Sequence, residues 1–145
     1  MIPDAIVIDM VYPQPIEAVW KALTNSDALT AWLMPNDFEP RIGHRFTFRT
    51  TPDQYWNGVV ECEVVALDAL SRLAFTWRGG ALDTLVTFSI ESVDEGTHLR
   101  LEHTGFDHSG PTGLTVRDLL ASGWNSRILR ERLPAYLNER TKETI

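Results

Sequence analysis

Cysteine is nearly absent from this chain: Cys62 stands alone, which excludes an internal disulfide and any cysteine-rich zinc site. Basic residues are the next shortage. Lys and Arg number 13 against 20 Asp and Glu, a formal charge of −7 that argues against an extended nucleic-acid surface, because phosphate binding draws on clustered cations. A small basic pocket survives that argument. No apolar run approaches the ~18 residues of a membrane span, and the N-terminus, with Asp4 and Asp9 among apolar neighbours, has no signal-peptide pattern. The expectation is a soluble protein of the reducing cytoplasm. There is no phosphate loop, dinucleotide fingerprint or Gly-x-Ser-x-Gly elbow, so no cofactor is implied.

What is present is a series of strand signals followed by one long helical stretch. At 145 residues the chain is expected to form one domain, 1–145, burying roughly two-thirds of its unfolded surface. Residues Ala5 to Tyr12 alternate around Ile6, Ile8 and Met10 until Pro13 and Pro15 stop the strand. Pro15 suits a first helical turn, and Ile16, Val19, Trp20 and Leu23 have helical spacing. Ser26 with Asp27 can cap a second short helix carrying Leu29, Trp32 and Leu33. Alternation then returns over Arg45 to Thr50, Trp56 to Leu67, Leu73 to Trp77, Thr84 to Val93 and Thr97 to His103. Short turns join these segments, so the predicted fold is α+β: a curved antiparallel sheet of about six strands. One face receives the final helix and the other meets water.

The helix itself is expected over Gly113 to Arg140. At a hundred degrees per residue, Val116, Leu119, Leu120, Gly123, Trp124, Ile128, Leu133 and Leu137 form an apolar band. The band drifts sideways beyond Trp124, and Pro134 removes a hydrogen bond, which predicts a bend near Leu133. Gly123 in mid-helix implies close packing or room kept open beside it.

These pieces, in order, resemble a known family. The matching stretches are Tyr12 to Thr24 (YPQPIEAVWKALT), Leu29 to Trp32, Gly43 to Phe48, Gly58 to Val64, Leu73 to Trp77, Thr84 to Ile90, Gly96 to Leu101, His103 to Phe106 and Gly123-Trp124. They resemble homologues of the ATPase activator of the ninety-kilodalton heat-shock protein, within the START-like, helix-grip (SRPBCC) superfamily. The resemblance implies a sheet gripping the C-terminal helix around an internal cavity that takes apolar molecules. One departure stands out: Ile128 replaces the leucine expected four residues after Trp124, and Leu129, Leu133 and Leu137 are shifted by one.

Alternation and helical phase let Phe46, Phe48, Trp56, Phe75, Trp77, Phe88 and Trp124 converge on one interior. They make either a solid core or the walls of a ligand site of about 300–1,000 Å³, and the resemblance favours the pocket. Trp32, Val60, Val86, Leu101, Phe106 and Leu120 join them as candidate lining residues. His103 shares parity with Leu99 and Leu101, so it is either a satisfied structural histidine or a hydrogen-bonding or proton-transferring group. Arg127, one turn beyond Gly123, is either an exposed arginine or the partner of an anionic ligand group. His98 and His103 should face opposite ways along one strand, so the histidines do not suggest a metal site. Asp107, His108 and Ser109 are chain neighbours in a loop and cannot align as a hydrolase triad. Three functions follow. The first is noncatalytic binding of a small apolar or aromatic molecule, oriented by His103 or Arg127. The others are a polyketide-cyclase-like enzyme and an interaction module whose partner is a heat-shock chaperone.

Overall fold

The computed structural model describes residues 5–51, 57–79, 82–106 and 120–143, without the side chains of 126 and 140–143. Six strands make one antiparallel sheet: β1 Ile6–Tyr12, β2 Arg45–Arg49, β3 Val59–Asp68, β4 Arg72–Gly79, β5 Leu82–Val93 and β6 Gly96–Thr104. Their spatial order is β1-β6-β5-β4-β3-β2, so the first strand closes the sheet against the last, with Ile6 opposite His103. Two short helices, α1 Ile16–Leu23 and α2 Ser26–Trp32, follow β1 as expected. The C-terminal helix has a ten-residue π-helical segment, Gly123–Arg132, followed by α3, Leu133–Glu143.

Strand alternation sorts the side chains as the sequence implies. In β3, Val60, Cys62 and Val64 are buried, whereas Glu61 is exposed. A register shift between Val64 and Ala66 then bulges the strand at Val65, which alternation already turns outward. In β5 the buried positions are Thr84, Val86, Phe88 and Ile90. The β5–β6 hairpin turns at Gly96, whose φ is +137° and whose added Cβ would collide with the Tyr12 carbonyl, so only glycine fits.

Two helix starts differ from expectation by one residue. Pro15 lies just before α1 in an extended conformation, and its carbonyl accepts hydrogen bonds from the Ala18 and Val19 amides at 3.0 and 3.2 Å. Asn25, rather than Ser26 or Asp27, caps α2, because its side-chain oxygen accepts from the Ala28 amide at 3.0 Å.

The larger correction concerns the apolar band of the last helix. Trp124, Leu129, Leu133 and Leu137 are buried, and Ile128 is only half-buried. The first step in that series is five residues, and five residues at α-helical spacing leave the two side chains well apart around the axis. The π form removes the mismatch: each turn takes one more residue, and the Leu133 amide donates to the Ile128 carbonyl five residues back. The shifted leucines are thus a one-residue insertion absorbed by a wider helical turn. At Leu133, where a bend is expected from the sequence, the helix switches from π to α hydrogen bonding, with Pro134, which has no amide proton, at the α3 start. Residues 113–119 of the expected helix lie outside the described residues. So do Trp56, the turn around Asp53, and the loop carrying Asp107, His108 and Ser109.

Candidate functional site

Strands β2, β4 and β5 and the π segment bring their rings into one cluster on the inner face of the sheet. Phe48 lies 5.7 Å from Trp77, Phe75 lies 6.3 Å from Phe88, and Phe46 meets both Phe48 and Phe75. Trp124 reaches down from the helix and contacts Trp77 at 5.7 Å and Phe88 at 6.0 Å between ring centroids. Such tilted and edge-on contacts are the favoured aromatic geometries. Trp32 abuts Phe88 from α2, and its indole donates to the Ala22 carbonyl at 2.9 Å. Val60, Val86 and Leu101 are buried around the rings; Leu120 is half-buried beside them.

Between Trp77, Phe88 and Trp124, where an open volume is expected, the Trp124 ring lies against both of the others. A hollow of about 310 Å³ lies instead by the outer face, beside Arg45, Glu61, Glu63, Thr76 and Arg78. Any ligand entering the interior among these residues must move a ring. Gly123 leaves space on the helix, since among the described residues a Cβ added there meets nothing within 4 Å outside its chain neighbours and its own helical backbone. Of the two readings of that glycine, room kept open is the observed one.

At the centre of the cluster is His103, with no exposed surface. Its Nε2 is 2.8 Å from the Thr84 hydroxyl, which itself donates to the Trp77 carbonyl at 2.8 Å. Having given its proton there, the hydroxyl accepts from His103, so Nε2 carries the hydrogen. On the other side the Trp124 indole donates to His103 Nδ1 at 3.2 Å, and an indole nitrogen can only donate. Both bonds therefore fix one neutral tautomer. Burial pushes the imidazole pKa down to about 3, which agrees with a chain that has no place for a second ring proton. Phe106 covers the ring at 4.6 Å and Trp77 lies at 5.5 Å.

Arg127 is exposed. His98 and His103 do face opposite ways: His98 is on the outer face with Asp9, and His103 is inside. Cys62 is buried, and burial raises its thiol pKa, which keeps it a small apolar residue. Among the described residues, no three His, Cys, Asp or Glu side chains come together as a metal site.

Three contributors were missed in the sequence. Thr84 shares inward parity with Val86 and Phe88, and a hydroxyl at an inward position was the available signal. Tyr12 is buried and its hydroxyl donates to the Leu129 carbonyl of the π segment at 2.7 Å, stapling the first strand to the last helix. Phe38, between α2 and β2, packs edge-on against Phe46 at 5.1 Å.

A sheet wrapped against a long C-terminal helix, with an aromatic interior between them, defines a helix-grip domain. Residues 13–138 match the family described as Activator of Hsp90 ATPase homolog 1-like protein, and the chain belongs to that family. Among solved structures it is similar to protein MLL2253 from Mesorhizobium loti, with 33% identity over 93% of this chain and 97% of that one and a TM-score of 0.81. Protein BH1534 from Bacillus halodurans shares 26% identity, covering 92% and 96% of the two chains at a TM-score of 0.75. DynU16, from the dynemicin biosynthetic locus, shares the fold at 21% identity and a TM-score of 0.74; the match covers 93% of this chain and 47% of that one. No curated protein matches the sequence.

Proposed function

We propose that this chain is a single binding domain for a small, mainly apolar or aromatic molecule held between the sheet and the C-terminal helix. The observation that carries this reading is the buried aromatic cluster around one neutral, hydrogen-bonding histidine, roofed by a helix in its less regular π form. Apolar walls with a few placed polar groups are what small-molecule sites share, and π-helical turns are frequent at functional sites. The same fold in a protein of a biosynthetic locus is consistent with handling of small molecules. A free, buried Cys62 suits a reducing compartment such as the cytoplasm.

Trp124 is the ring that gives way, since it alone of the central three belongs to the helix rather than the sheet. Binding should then shift its indole N–H resonance, assigned by comparison with Trp124→Phe. Native mass spectrometry of freshly isolated protein should show a retained small molecule. An unshifted Trp124 signal across a panel of aromatic probes, with no retained mass, would sink the proposal. A cyclase-like role has less support, because both His103 nitrogens are engaged and no second acid or base adjoins it among the described residues. The chaperone reading rests on the family description alone; recovery of a chaperone in a pull-down with stimulated ATPase would put it first.

A further inference from the structure

Which ligand chemistry the interior accepts follows from the polar chain that crosses it, granting the binding site proposed above. Thr84 is committed to the Trp77 carbonyl, so His103 Nε2 is committed to Thr84. What remains is Nδ1, an acceptor aimed at the helix and satisfied by the Trp124 indole N–H, the longest of the three bonds at 3.2 Å. If Trp124 leaves, this buried acceptor loses its partner, which is costly unless the incoming molecule restores the bond. No cationic side chain faces this point among the described residues: Arg127 and Arg130 are exposed, and Arg132 donates to the Leu33 carbonyl at 3.1 Å.

We infer that the ligand is a neutral, largely aromatic molecule carrying one hydroxyl or N–H donor, which takes the place of the Trp124 indole on His103 Nδ1. A carboxylate is excluded from that position. It would bring a buried negative charge and further lone pairs to a nitrogen that already lacks a proton. An ether or other acceptor-only analogue would leave Nδ1 unpaired. Trp124 serves as a built-in stand-in, presenting to His103 the same flat body and single donor that the ligand presents. The π segment gives it a way out. Its wider turn holds one residue more than an α-helical turn, and tightening that turn would rotate Trp124 away from Leu129, next to the open space at Gly123.

The test is calorimetric titration of three probes of one shape, 2-naphthol, 2-methoxynaphthalene and 2-naphthoate, into the wild-type protein and Trp124→Phe. The hydroxyl compound should bind about fivefold or more tighter than the ether, as one recovered hydrogen bond implies, and the carboxylate should bind least. In Trp124→Phe both neutral probes should bind more tightly, since no indole bond to Nδ1 has to be given up, and the preference for the hydroxyl should be retained. Equal affinity of naphthol and its ether, or tighter binding of naphthoate, overturns the assignment while leaving an interior site standing. Failure of all three to bind either protein removes the site itself, and this inference with it.

Discussion

The two faces of the sheet treat one residue type in opposite ways, and β6 carries both cases. On the outer face, His98 lies 2.9 Å from Asp9 and 3.5 Å from Glu91, and Arg100 donates to Asp9 at 2.8 Å. These groups are solvated, and Arg100 beside Asp9 holds its carboxyl below the ordinary range. On the inner face, His103 is enclosed by rings and bonded through both nitrogens, with no carboxylate among its partners in the described residues. Charge is tolerated only where water shares its cost. The outer cluster is adjustable and the inner one is an all-or-none arrangement in which each member fixes the next.

Removing Trp124 should break the inner face most. Trp124→Ala takes away a ring with almost no exposed surface and leaves His103 Nδ1 unpaired, so a loss of about 3–5 kcal/mol is expected from denaturant unfolding. A loss below ~1 kcal/mol would mean that the ring lines a void. Thr84→Val keeps the shape but strips the Nε2 proton of its acceptor, and should cost about 1–3 kcal/mol; a neutral outcome would contradict the assigned tautomer.

Acid sharpens the comparison next. The unfolded His103 takes up a proton near its ordinary value of 6.5, and the folded one only near 3, so the unfolded state binds more protons between those values. Stability is therefore complete above about pH 6.5 and falls as the pH drops through that window, by up to ~1.4 kcal/mol per pH unit. His103→Phe should flatten that slope. Measured stability that stays level from pH 6.5 to 4 in the wild type would refute the neutral, buried imidazole. The smallest effect belongs to the outer face: Asp9→Asn should leave the unfolding midpoint nearly unchanged, and added salt should erase what difference there is.

Much of this was readable beforehand, for reasons that differ by element. Strands announce themselves through a period of two, so the inward positions of Phe46, Phe48, Phe75, Trp77, Phe88 and His103 followed from parity alone. The helix was harder, because the spacing from Trp124 to Leu129 fits no α-helical face and only a change of hydrogen-bonding pattern reconciles them. The drift of the apolar band was visible; its resolution was not. Whether the rings enclose space or fill it depends on how far Trp124 descends, a tertiary quantity that no local pattern encodes. Thr84 and Tyr12 escaped notice because their roles lie in partners far along the chain, at His103 and Leu129.

The sheet order has a consequence for how the protein is made. Hairpins β3 to β6 join neighbours in sequence and can form as they emerge from the ribosome, but β1, made before the other five strands, pairs among the described residues with β6 alone. At roughly 5–20 residues per second, Ile6 waits on the order of ten seconds for His103 to exist. The Tyr12 bond to Leu129 must come later still. During that interval a β-prone segment with Val7 and Val11 exposed has no native neighbour, which leaves β1 in need of protection until β6 is made.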